Sequence, residues 1–227
     1  VSTSSASAPT DELERDLAAH VPTSDVVVVG VDEVGRGALA GPVAVGACAI
    51  RIREGQVVSP LPEGVRDSKK LSPRRREALE PQIREAARAH GIGWASAAEI
   101  DEHGIVRGLE LASARALGEV ARSTRIDAVL MDGNADVISP VLEGLLDPLP
   151  RVRVRVRADR DCVSVAAASV LAKVSRDAHM VALDELAPVY GWAGNKGYGS
   201  AAHRTAIAEH GAHPEHRRSW NLLGARR

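Results

Sequence analysis

Three β-type segments of this chain run into carboxylates. The run "VVVVGVDEV" (26–34) contains Asp32 and Glu33, "IDAVLMDGN" (126–134) reaches Asp132, and "VRVRVRAD" (152–159) ends at Asp159. Four consecutive valines read as a strand buried on both faces. A buried strand that delivers two adjacent acids needs a reason, because an unpaired carboxylate is costly to desolvate. Strands joined by helical crossovers run parallel, so their C-terminal ends share one edge of the sheet. Ligand sites of open α/β sheets gather at that edge. A single strand-end aspartate reads as a turn residue; Asp32, Glu33, Asp132 and Asp159 at one edge read as a site. Like charges at close range oppose each other's ionisation, and a divalent cation resolves the conflict. An all-oxygen set with no His or Cys suits Mg²⁺ or Mn²⁺ rather than Zn²⁺. Adjacent strand residues face opposite ways, so Asp32 and Glu33 share a site only if the strand twists or ends there. Gly35 and Gly37 permit that.

The remaining pattern is that of one α/β domain. The chain has 227 residues, 44% hydrophobic and 26% charged, with a formal net charge of −1. That balance announces no nucleic-acid binder, although a local basic face would suffice for one. Phe is absent and aromatics are 2%, so the core must be aliphatic. Cys48 and Cys162 lie far apart without metal-ligand spacing and read as buried small residues in a reduced, cytoplasmic chain. No apolar run reaches membrane-spanning length and no signal pattern opens the sequence. Residues 1–24 read as a disordered or weakly ordered tail holding a short surface helix at "DELERDLAAH". Residues 25–222 read as the folded domain and 223–227 as a second tail. Strands are expected at 26–34 and 42–50 as an antiparallel pair, and at "IGWASA" (92–97). A helix capped by Ser72 and started by Pro73 should run to about Ala89, with Gly91 as its stop. Further helices are expected over 104–122, over 164–186 and from about Ala201. "VRVRVRAD" alternates, with Val inward and Arg outward, as an exposed edge strand would. "GRGALA" (35–40) has the spacing of a dinucleotide fingerprint, but Pro42 and a strand follow it where that fingerprint requires a helix. Its glycines instead suit close approach of a polar ligand.

The motifs "DEVGRG", "DSKKLS", "MDGN", the "AD" before "SVAAASVLAKVSRD", "NKGYG" and "HRRSW" occur in that order between about Val26 and Trp220. Together they resemble the successive motifs of bacterial ribonuclease HII. The resemblance implies an α/β ribonuclease H-like fold, with a five-stranded mixed sheet flanked by helices and a helical C-terminal part. It implies an endoribonuclease that cuts the RNA strand of RNA–DNA hybrids and cuts 5′ of single ribonucleotides embedded in duplex DNA. Its products would carry 3′-hydroxyl and 5′-phosphate ends, and its tasks would be ribonucleotide removal and RNA primer processing. Two-metal-ion catalysis with Mn²⁺ or Mg²⁺ would use Asp32, Glu33, Asp132 and Asp159. Gly35, Arg36 and Gly37 resemble the segment that reads the 2′-hydroxyl, and Tyr198 the tyrosine that packs on the following deoxyribose. Asn195 stands where the family often has His. Asp161 lies close to Asp159, and the spacing to the Ala-rich helix selects Asp159.

Outside those residues the readings stay open. Ser68, Lys69 and Lys70 read as phosphate contacts before a helix N-terminus or as a solvated turn. Lys173 and Arg176, one turn apart, face phosphate or an acidic neighbour. Arg217 and Arg218 form a duplex-holding patch or a solvated basic end. Trp192 and Trp220 read as packing residues. A monomer without membrane association is expected. A non-catalytic nucleic-acid-binding relative is opposed by the intact carboxylates, and a different metal nuclease by "GRG" with Tyr198.

Overall fold

The valine run becomes the centre of a sheet. In a computed structural model that describes residues 8–224, strand β1 (Asp25–Val34) pairs antiparallel with β2 (Val43–Arg53) and parallel with β5 (Ala128–Asp132). Strand β6 (Arg151–Arg155) adds parallel to β5. The outer edge of β2 is shared by β4 (Ala89–Ala95) and the two-residue β3 (Gln56–Val57). The sheet therefore has six strands, one more than expected. The extra strand, β3, follows a turn in which Glu54 and Gly55 both have positive φ, the geometry of a tight hairpin. Two residues are too few to show an alternation.

Helices cover both faces. Odd-numbered Val27, Val29 and Val31 pack toward α3 (Ala97–Ala121) with Leu109, Ala112, Ala116 and Leu117. Even-numbered Val26 and Val28 face the other way, with Ala158 and Val165. That second face carries α6 (Val163–Leu186), and α2 (Pro73–Ala86) packs on α6 through Leu79 and Ile83. The Ala-rich sequence of α6 lets it lie almost on the backbone of the sheet. A Cβ at Gly30 would stand 2.3 Å from the Ser164 carbonyl carbon. The small α4 (Ser139–Leu142), α5 (Ala158–Asp161) and α7 (Trp192–Asn195) lie in connections, and α8 (Ala201–His210) closes the C-terminal part.

Several boundaries differ from the sequence expectation. Helix α2 ends at Ala86, and Gly91 lies inside β4. Gly91 is there because a Cβ would meet the Ala116 carbonyl oxygen of α3 at 2.3 Å; it marks close packing where a helix stop was expected. Helix α3 starts at Ala97 through a Ser96–Glu99 capping box, and Gly104, the expected start, is an internal break at φ 81°. Strand β6 stops at Arg155, so Asp159 sits in α5 and not on a strand end. Within the expected N-terminal tail, α1 (Glu12–Ala18) buries Glu14 and Leu17, and Thr10 pairs with Cys162. This part of the tail is thus ordered and docked; residues 1–7 of the first tail and 225–227 of the second lie outside the described residues. Cys48 and Cys162 are free and buried, and burial pushes both thiols up to about 12. Among the described residues, no helix is long and apolar enough to cross a membrane.

Candidate active site

The ladder between β1 and β5 stops at Val31–Met131, while that between β1 and β2 continues to Val34. Strand β1 is therefore bare on its β5 side at Asp32 and Glu33. The opening lies between the ends of two parallel strands, and Asp132 closes β5 at the same edge. The Asp132 carboxylate accepts the Ala158 N–H at 2.6 Å and so ties the turn into α5, which carries Asp159. Asp32 is 7% exposed.

The four carboxylates act on one another. Burial raises the Asp32 pKa well above the usual range, and the charges of Glu33, Asp132 and Asp159 add to it. Burial also raises Glu33, with Asp132 contributing and Arg36 and Lys69 opposing. Asp159 is pushed up to about 6 by burial, then by Asp67 and Asp132. Among the described residues no three such groups close on a point as a finished metal cage. An open, oxygen-only set under mutual repulsion fits hard dications that keep part of their coordination for water and phosphate oxygens. Burial would lower Lys69, yet Asp32, Asp67, Asp159 and Asp132 together raise it, so its ammonium belongs to this acidic group.

Asp67, left without a role in the sequence reading of "DSKK", is buried and accepts the Lys69 N–H at 2.9 Å. Its position before Ser-Lys-Lys was the available signal for such a turn. Ser68 is also buried, with its N–H on Ser169 Oγ, and Lys70 is exposed. The carbonyls of Ser68 and Leu71 are held by Arg76, a buried arginine that sequence reasoning missed. Lys173 faces an acidic neighbour, with Nζ 2.6 Å from Asp177. Asp161 pairs with Arg155 at the surface, away from the carboxylate group.

Two expected phosphate contacts are displaced from that role. Arg176 and Arg217 are 0% exposed. Arg176 donates to the carbonyls of Ala40, Pro42 and Lys196. Arg217 donates to those of Gly35, Arg36 and Gly41 and stacks over Trp220 at 4.9 Å. Burial, and then Arg176, pull Arg217 down to about 9. The sequence leaves phosphate or an acidic neighbour open for Arg176, and a duplex-holding patch or a solvated end for Arg217; here each satisfies backbone carbonyls inside the fold. Arg218 remains at the surface, its N–H on Asp101. Gly35 has φ +85°, and a Cβ there would meet Arg176 Nε at 2.0 Å. Arg36 and Gly37 are exposed, Arg36 lies 3.8 Å from Glu33, and a Cβ at Gly37 would meet nothing within 4 Å. The Tyr198 ring, 39% exposed, stands 5.7 Å above the Arg176 guanidinium. Gly35 and Tyr198 thus flank one buried cation. Asn195 accepts the Gly197 N–H and donates to the Tyr190 carbonyl, so it shapes this loop.

The sequence profile of ribonuclease HII matches residues 29–223. Ribonuclease HII of Streptomyces coelicolor is 42% identical over 217 residues, covering 96% of this chain and 85% of its own. The chain belongs to the ribonuclease HII family. It is accordingly a metal-dependent ribonuclease H. Among solved structures, the ribonuclease H2 of Pyrococcus horikoshii OT3 superposes with a TM-score of 0.68 at 25% identity, covering 87% of this chain and 95% of that one. A Bst-RNase HIII solved in complex with Mn²⁺ shares the fold, with a TM-score of 0.65 at 21% identity over 91% of this chain and 70% of its own. The ribonuclease HII core thus carries the carboxylate edge, and its C-terminal part carries the Tyr198 loop.

Proposed function

We propose that this ribonuclease HII hydrolyses the RNA strand of RNA–DNA hybrids and cuts 5′ of single ribonucleotides embedded in duplex DNA. It would do so as a monomer in the cytoplasm. The observation that carries the reading is the shared cation: Gly35 and Tyr198 lie against one guanidinium, next to the opened end of β1 that bears Asp32 and Glu33. Asp32, Glu33, Asp132 and Asp159 would hold Mg²⁺ or Mn²⁺, which supply activation of the attacking water and neutralisation of charge on the leaving 3′-oxygen. The ribose 2′-hydroxyl is then left over as a mark of identity, since it is what separates RNA from DNA. The exposed backbone of Arg36 and Gly37 has room to hydrogen-bond it. Tyr198 presents an apolar ring face suited to a deoxyribose and crowded by an added hydroxyl. Lys69, kept protonated by its acidic neighbours, offsets negative charge as a phosphate enters.

Incubation with duplex DNA carrying one ribonucleotide, with Mn²⁺, with Mg²⁺ and with a chelator, tests the activity. Cleavage leaving a 3′-hydroxyl only when metal is supplied is expected; an inert protein under all three conditions would end the proposal. Tyr198→Ala should lose at least about tenfold on the single ribonucleotide, because one misplaced contact is enough to disturb attack geometry. Its preference over continuous hybrid should shrink, with a melting temperature close to that of the parent. An unchanged preference with a lower melting temperature would return Tyr198 to a packing role.

A further inference from the structure

Among the described residues, Arg217 has no carboxylate in hydrogen-bonding reach; its acceptors are neutral carbonyls, three of them, and two belong to the Gly35–Gly37 loop. Nη2 takes the Gly35 carbonyl at 2.7 Å and Nη1 takes that of Arg36 at 2.8 Å. In a trans peptide the N–H points opposite to the C=O. Drawing the Gly35 and Arg36 carbonyls inward therefore turns the N–H groups of Arg36 and Gly37 outward. Among the described residues, neither N–H donates to a protein acceptor. A rigid guanidinium fork suits this work, because it fixes two acceptors in one plane at once.

The residue before it acts on the other specificity element. His216 Nδ1 accepts the His213 N–H at 2.9 Å, and His203 Nε2 accepts the Trp192 indole N–H at 3.0 Å. The Nε2 atoms of His203 and His216 lie 3.0 Å apart, and His216 Nδ1 is also 3.3 Å from the His213 carbonyl. His203 donates from Nδ1 to the Tyr198 carbonyl at 2.9 Å. The backbone completes the link. Ala40 bridges to His216, the Arg217 N–H donates to Leu39, and the N–H groups of Leu39 and Ala40 both reach Gly197.

We infer that Arg217, with His216 beside it, is a positioning device that registers the peptide planes of Gly35–Gly37 against the Tyr198 ring, and so sets the preference for an isolated ribonucleotide. The inference rests on the reading of those two elements given above. Arg217 touches no substrate; it acts through the carbonyls it holds.

Steady-state rates of Arg217→Met and Arg217→Lys on a single embedded ribonucleotide and on continuous hybrid test it, beside Mn²⁺ titration calorimetry of each protein. Loss of register should lower kcat/KM on the single ribonucleotide by about tenfold or more. Continuous hybrid should fall several times less, and the Mn²⁺ affinity should stay at the parent value. Lysine keeps the cation without the fork, so Arg217→Lys should lie between parent and Met variant. Equal proportional losses on both substrates, or a retained preference, would overturn the inference. If Arg217→Met does not fold, Arg217→Lys decides alone: an intermediate preference supports positioning, and a parental one refutes it. A parent protein that fails to distinguish the two substrates removes the specificity reading and this inference with it, whereas a discriminating parent with discriminating variants removes only the inference.

Discussion

At the scale of single residues, Asp32 and Asp132 stand at the open strand edge, and Arg176 and Arg217 hold carbonyls of the 35–42 segment from within. Asp32 and Asp132 are legible together, because two apolar runs each end in a carboxylate at one sheet edge; either alone reads as a turn residue. Arg176 and Arg217 give no such sign, since their carbonyl partners come from segments far away in sequence. Asp159 and Asp161 are separated by geometry: the first is buried near Asp67 and Asp132, and the second is spent on Arg155 at the surface. Asp159→Asn is therefore expected to abolish cleavage, and Asp161→Asn to keep most of it. Asp32→Asn should also abolish cleavage while leaving the metal-free protein as stable as its parent or more so, because a repelled, buried charge is removed. Cleavage rates with circular dichroism melts in chelator check all three, and the reverse order of the two neighbouring variants would reassign the ligand.

At the scale of elements, strands with long apolar or alternating runs were readable, and junctions were not. Gly91 and Gly104 look like punctuation in sequence; one is a contact between sheet and helix, the other a break inside α3. In the N-terminal arm the expected short helix forms, but it is docked and not a surface helix on a weakly ordered tail. Seven helical residues cannot form a stable helix alone, so order in α1 depends on docking that sequence does not display. The dock is Glu14, buried, accepting both the N–H and the Oγ–H of Ser164 in the first turn of α6. Its Oε2 has no protein partner among the described residues, and burial raises its pKa. Glu14→Ala leaves the Ser164 donors unpaired and should cost about 1–3 kcal/mol. Glu14→Gln keeps one acceptor oxygen and sheds the charge, so it should be close to neutral or stabilising. Urea denaturation of the two variants measures the difference; equal losses would show that the arm is held by Leu17 and not by the carboxylate.

Across the whole molecule, two groups of buried titratable side chains pull stability in opposite directions with pH. In the metal-free protein the raised carboxylates stabilise below their unfolded pKa, near 4, and that contribution is lost as pH rises through the folded values, which for Asp159 is about 6. The histidine pair behaves inversely. Burial, and then His203, lower His216 to about 4, and burial lowers His203. Their contribution is present above the unfolded value near 6.5 and is lost as pH falls through the folded one. Melts between pH 4 and 7 should show Asp32→Asn gaining most at pH 7 and least at pH 4. His216→Gln should cost most at pH 7 and least near pH 4. Curves parallel to the parent would mean that neither cluster titrates as its surroundings dictate. Most of the aromatic residues lie where the second of these clusters is. With no Phe and three Trp in the chain, Trp192 bonds to His203 and Trp220 lies under Arg217, while Trp94 faces His179. Tyr190 is stacked on Trp192. The chain thus carries its own optical probe: two of its three indoles report the segment that holds the Gly35–Gly37 and Tyr198 loops. Ultraviolet emission, with no label attached, follows that segment, with Trp94 on β4 as the one indole of the sheet itself.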